Sequence, residues 1–137
     1  MKASVTTTLL GALREVDLDH PDTTFKAVRA ASRELGKFDK GVATLTRMRG
    51  QSPWERHAKG DELFYVISGE VSFRLLTKSA ERMVDVPKGG VFIVPRGVWH
   101  RSRSQRGTTV LVVRGSEHGP VTFADDPRRA SKSELID

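Results

Sequence analysis

No cysteine occurs among the 137 residues, which excludes disulfides, thiolate metal sites and cysteine nucleophiles together. Any metal must therefore rest on histidine and carboxylate. No apolar run approaches the roughly 18 residues that a membrane-crossing helix requires. The opening stretch MKASVTTTLLGALREVDLDH carries a lysine and a short apolar patch, but Arg14, Glu15, Asp17 and Asp19 interrupt it before a signal-peptide core can form. The expectation is a cytoplasmic protein with no membrane contact. Internal repeats and low-complexity linkers are missing as well.

The charge balance is one-sided, with a net charge of +6, and such a balance raises the prior for anionic partners. Lysine and arginine are scattered, however. No helix-turn-helix signature and no basic run interleaved with aromatics offers a surface for bases, so nucleic acid is not expected as a partner. Hydrophobic residues make up 37% and charged residues 29%, a globular composition at the length of one domain.

From Val42 onward the chain consists of short β-branched and aromatic runs separated by Gly, Pro and Asp clusters, the texture of an all-β sandwich or barrel. The runs are Val42 to Met48, Leu63 to Ser68, Val71 to Thr77, Arg82 to Val86, Val91 to Pro95, Trp99 to Ser104 and Thr108 to Arg114. Ser68, Gly69 and Glu70 predict a tight hairpin turn, and Pro87 to Gly90 a second. Before Val42 the chain is less regular, although Ala27, Val28, Ala31 and Leu35 predict a helix within Thr24 to Gly36, stopped by Gly36. Three parts are expected: an N-terminal extension over residues 1–41 packing on the barrel or on a dimer partner, a barrel over 42–123, and a polar tail over 124–137 lying on the surface or fraying.

Two stretches carry the chemistry. In PWERHAKGDELFYVISGE, Glu55 and His57 are two apart, so an extended backbone directs both to one face. Glu62 opens the next strand, where alternation puts Glu62, Phe64, Val66 and Ser68 on one face and Leu63, Tyr65 and Ile67 on the other. A carboxylate on a buried face is costly without a partner, and a divalent cation is an economical one. In GGVFIVPRGVWHRSRS, the chain turns at Arg96 and Gly97, and alternation places His100, Ser102 and Ser104 inward with Arg101 and Arg103 outward.

These two stretches resemble the two motifs of the cupin superfamily, small jelly-roll barrels that bind a metal in the barrel mouth. The first family motif runs Gly, five residues, His-x-His, three or four residues, Glu, six residues, Gly. His57, Glu62 and Gly69 match it; Glu55 stands where the first His is expected, and Gly50 lies one position late. The second runs Gly, five residues, Pro-x-Gly, two residues, His, three residues, Asn. Gly89, Pro95, Gly97 and His100 match it, while Ser104 replaces the Asn.

The resemblance implies a double-stranded β-helix, that is, a jelly-roll barrel with an irregular or partly helical N-terminal segment. It implies one divalent transition metal per chain on His57, Glu62 and His100, with Glu55 as a possible fourth ligand. This donor set favours Fe or Mn and also suits Zn or Ni. It implies, further, a small-molecule ligand and a homodimer for which Leu63, Tyr65 and Ile67 offer apolar surface. Three functions share such a site: a dioxygenase-type enzyme acting on a small organic acid or aromatic compound, a metal-assisted isomerase, lyase or decarboxylase, and a non-enzymatic ligand-binding or sensor module. His20 and His118 have no partner at ligand spacing and read as structural or loop residues. Trp54 and Trp99 read as packing residues, and the arginines beside the site as solvated.

Overall fold

A computed structural model describes residues 2–115 and 117–136. Two short helices, α1 (Thr6–Leu10) and α2 (Phe25–Ala31), lie among the first elements, with strand β1 (Glu15–Asp17) between them. The remaining strands are β2 (Arg33–Phe38), β3 (Gly41–Gln51), β4 (Trp54–Glu55), β5 (Glu62–Gly69), β6 (Val71–Leu76), β7 (Glu81–Val86), β8 (Val91–Val94), β9 (Trp99–Gly115) and β10 (Val121–Thr122). They form one curled, open sheet of jelly-roll type, in agreement with the all-β expectation. No helix among the described residues is long and apolar enough to cross a membrane.

β9 is the hub. Its first half pairs with β6 and, at His100, with β4; its second half pairs with β5; and β3 runs along both halves. The sequence predicts two strands here, Trp99 to Ser104 and Thr108 to Arg114. The structure runs them together as one strand of 17 residues, bent at Gly107, whose φ of +104° suits glycine. β3 spans the bend, pairing with Arg103 and Ser104 on one side and with residues 108–115 on the other, a long-range pairing that no local pattern announces.

Alternation along β5 and β9 fixes what faces inward. Glu62, Phe64 and Val66 are buried while Tyr65 is exposed, and His100, Ser102 and Ser104 are buried while Arg103 is exposed. Phe64, Val66, Val71, Phe73, Val110 and Val112 fill the interior of the roll. Phe73 stacks between Phe64 and Phe92, with ring centroids 4.7 and 5.1 Å away. Trp54, Leu76 and Trp99 form a second cluster outside it, against which Leu135 packs. The packing role expected of both tryptophans is thus observed, and Arg101 stacks over Trp54 at 4.6 Å.

One expectation needs correction. The helix predicted through Gly36 ends at Ala31: Ser32 turns its amide and hydroxyl back onto Val28 O, and residues 33–38 become β2. They pair antiparallel with the edge of β3, and satisfying that long edge outweighs the modest helix propensity of a short segment. The polar tail, expected to lie on the surface or fray, is held to the sheet near its described end. Ile136 exchanges two backbone hydrogen bonds with Val121, at 2.7 and 2.9 Å, and Ser131 and Glu134 close a capping box.

Gly69 sits where the β5–β6 hairpin crosses the bend of β9. Its φ is +73°, and a Cβ there would lie 2.1 Å from the carbonyl oxygen of Gly107. Gly69→Ala is therefore expected to cost about 2 kcal/mol or more, from backbone strain and the clash with main chain. Urea unfolding of the variant measures this; a loss below about 0.5 kcal/mol contradicts it.

Candidate metal centre

His100 is delivered by β9, opposite Glu55 of β4. Glu62 enters from the first position of β5. His57 lies in the loop between β4 and β5 rather than on a strand paired with Glu62, which instead registers with Val94 and Arg114. That loop is nevertheless held firmly. Gly97 donates its amide to His57 O at 2.7 Å, and Arg96 N donates to Asp61 Oδ1 at 2.8 Å. The Pro95-Arg96-Gly97 turn of the second motif thus ties down the loop of the first, with Gly97 at a φ of +78°.

All four sequence-predicted residues are brought together. Glu62 Oε2 stands 3.0 Å from His57 Nε2 and 3.1 Å from His100 Nε2. Glu55 Oε2 is 3.8 Å from His57 Nε2, and the ligand-type atoms of Glu55, His57 and His100 all lie within 4.8 Å of one another. The carboxylate of Glu62 contacts both imidazoles of that trio.

The second nitrogen of each imidazole is tied back. His57 Nδ1–H donates to His118 O, and His100 Nδ1–H donates to Val98 O at 3.1 Å. A backbone carbonyl on Nδ1 fixes the tautomer and leaves the Nε2 lone pair as the free donor. Two such lone pairs then confront the same carboxylate oxygen. This arrangement is repulsive unless each imidazole takes a second proton or one cation stands between all three. Separations of about 3 Å between donor atoms are also what adjacent ligands about 2.1 Å from one ion produce. The residues therefore fit a divalent metal.

Without a metal the protons must do that work, and the electrostatics show it. Burial pushes the His57 and His100 imidazoles down, but their hydrogen bonds to Glu62 outweigh it and raise both. Burial pushes the Glu62 carboxyl up, yet the bonds from His100 and His57 prevail and hold it at about 2. Burial and the neighbouring charge of Glu62 push Glu55 up.

Glu55, Glu62 and His100 of this centre line a cavity of about 290 Å³. Phe64, Phe73, Val110 and Val112 line it from the sheet; Phe25 and Val28 of α2 line it from the N-terminal segment. Two residues on this cavity carry no signal in the sequence pattern. Arg114, the penultimate residue of β9, is only 15% exposed, with Nε 4.0 Å from Glu62 Oε1. By spacing alone His118 has no ligand partner and reads as a loop residue; the structure instead brings its carbonyl to His57 and its ring to the cavity, where Nε2 accepts from Arg29 Nε at 2.9 Å. Burial, with the nearby Arg114 and Arg29, holds the His118 imidazole down at about 3. His20 stays outside the site, accepting locally from Asp22 N. Glu117 pairs with Lys59 at 2.8 Å on the surface.

The cupin domain model matches residues 44–114, more than half of the chain, and the chain belongs to the cupin family. It is 28% identical over 98 residues to the uncharacterized protein YdbB of Bacillus subtilis (strain 168), covering 71% of this chain and 83% of that protein. It is 39% identical over 61 residues to germin-like protein 1-4 of Oryza sativa subsp. japonica, covering 40% of this chain but only 26% of that protein. Among solved structures, protein NMB1881 from Neisseria meningitidis superposes with a TM-score of 0.61 at 16% identity, over 84% of this chain and 100% of that one. Hydroquinone 1,2-dioxygenase PnpCD, solved with Cd2+ and 4-hydroxybenzonitrile, superposes with a TM-score of 0.53 at 24% identity, over 62% of this chain and 64% of that one. These likenesses fix the fold.

The shifts predict a pH signature for metal-stripped protein. Imidazoles raised above their ordinary 6.5 stabilise the fold below that pH, and this stabilisation disappears as pH rises through the raised values. Glu62, lowered from 4.5 to about 2, acts oppositely, stabilising above 4.5 and failing as pH falls. Thermal midpoints of EDTA-treated wild type and Glu62→Gln are expected to differ most between the ordinary carboxylate and imidazole values, 4.5 and 6.5, and to converge as pH rises through the raised imidazole values. A difference that widens on the alkaline side contradicts the assignment.

Proposed function

We propose that the protein is a metal-dependent enzyme of dioxygenase type acting on a small organic acid or aromatic compound. One divalent ion is held by His57, Glu62 and His100, with Glu55 as the fourth ligand. The observation that carries this reading is the convergence of two Nε2 lone pairs on a buried carboxylate that lines a mostly apolar cavity. Two imidazoles with two carboxylates make a hard-leaning set that favours iron or manganese, while zinc and nickel accept the same donors. The fold shared with a hydroquinone dioxygenase solved with Cd2+ supports the reading.

When bound, the ion would supply Lewis-acid and one-electron chemistry. The chain's own residues prepare the site for it. Glu62 is ionised throughout the physiological range, and Glu55, pushed up by burial, regains full charge when a cation replaces the protons. The carbonyls of His118 and Val98 keep both rings oriented. Phe64, Phe73, Val110 and Val112 give the cavity apolar walls, beside which charges interact more strongly than in water.

Elemental analysis of protein purified without a His tag tests the centre. Wild type is expected to retain one transition ion per chain, His57→Ala and His100→Ala to lose it, and Glu55→Ala to retain it more weakly. Protein loaded with Fe(II) is expected to consume oxygen with at least one member of a panel of small aromatic compounds and organic acids. No oxygen uptake across the panel from a metal-replete sample contradicts the dioxygenase reading.

The same reading includes a homodimer. Residues 1–41 act as an extension packing on the barrel, 42–123 as the barrel and 124–137 as the tail. Tyr65, Val91 and Ile93 are 40%, 59% and 51% exposed on the outer face of the β5–β8 pair, an apolar strip suited to a two-fold contact. Light scattering after size exclusion is expected to give the dimer mass for wild type and the monomer mass for Ile93→Lys. A wild-type monomer at micromolar concentration contradicts the assignment.

A further inference from the structure

The cavity above the centre is two-sided in chemistry. Its walls are apolar, from Phe25, Val28, Phe64, Phe73, Val110 and Val112, while two guanidinium groups, Arg29 of α2 and Arg114 of β9, line the same space. Neither arginine is spent. Arg29 uses Nε on His118 and rests 5.7 Å from the Phe25 ring, and its two terminal nitrogens hydrogen-bond to no described residue. Arg114 makes one long bond of 3.4 Å to Gly115 O, and its nearest carboxylate, Glu62, stays at 4.0 Å. The two cations are close enough to oppose each other: the charge of Arg29 works against that of Arg114.

A charge census of the cavity points the same way. Glu34, Glu55 and Glu62 against Arg29 and Arg114 leave one excess negative charge, which a divalent ion converts to one excess positive charge. A neutral substrate leaves that charge uncompensated in a low-dielectric space, whereas a monoanion cancels it. Guanidinium forks with free terminal nitrogens match a planar carboxylate in particular.

We propose that Arg29 and Arg114 form the seat for the carboxylate of a singly charged organic acid whose apolar or aromatic body lies against the cavity walls. This deepens, and for the net charge rests on, the metal-centre reading above. Arg29 is a specificity-determining residue carried on a helix none of whose residues is buried. Substrate carboxylate and α2 therefore hold each other in place: the acid docks on Arg29, and Phe25 and Val28 close over the apolar body.

The test uses two pairs of probes that differ only in charge, benzoate with benzamide and hexanoate with hexanamide, titrated calorimetrically into zinc-loaded protein whose metal content is assayed on the same sample. The acid of at least one pair is expected to bind about tenfold or more tightly than its amide. Arg29→Gln, an exposed position, is expected to abolish most of that preference while leaving metal content and melting temperature unchanged; Arg29→Lys is expected to restore part of it, charge without the fork. Acid and amide binding equally, no acid binding at about 10 mM, or an acid preference indifferent to Arg29→Gln overturns the proposal. If the protein retains no metal, the metal-centre reading falls, and the same titrations on metal-free protein decide the carboxylate seat separately. A preference lost in Arg29→Gln then upholds the seat, and no preference overturns it.

Discussion

Two imidazole nitrogens facing one buried carboxylate oxygen set the terms for everything else in this structure. His57 and His100 cannot relax away, because each Nδ1 is committed to a backbone carbonyl and each backbone is committed to a strand or a clamped loop. The interaction must be mediated by something positive, protons or a metal, and the fold supplies the rigidity that makes the demand permanent. The Pro95-Arg96-Gly97 turn is the clearest expression of this. It shapes the approach to His100 and also fixes the loop that carries His57, so the two motifs act as one mechanical unit.

Around that centre the sheet provides polarity in layers. Inward positions of β5 and β9 run from ligand-type residues at one end, Glu62 and His100, to apolar residues deeper in the roll, Val66 and Val110. A jelly roll is suited to this because side-chain alternation separates interior from exterior while strand ends gather side chains at one mouth. The N-terminal segment completes the enclosure: β1 and β2 extend the sheet along β3, and the helix between them supplies part of the cavity wall.

Much of this is legible in the sequence where local rules apply. Alternation places Glu62, His100 and Ser102 inward without ambiguity, and the spacing of Gly69, Pro95 and Gly97 marks turns whose positive φ values the structure displays. Local rules fail where a distant partner decides. Residues 33–38 have acceptable helix formers, yet the long edge of β3 draws them into a strand. His118 is silent because its role passes through its backbone carbonyl, which every residue possesses, and through Arg29, 89 positions away in the chain. Arg114 reads as the polar end of a strand, and only the register opposite Glu62 gives it meaning.

The placement of β9 bears on how the chain acquires its shape. It is the partner of β3, β4, β5 and β6, and it follows all of them in the chain. During synthesis those earlier strands emerge with open edges and an unneutralised Glu62, and they must wait for residues 99–115 before most of their main-chain bonds exist. Long-range closure of this kind is slow and exposes sticky intermediates. Chaperone holding should thus matter most in the interval before that strand leaves the ribosome.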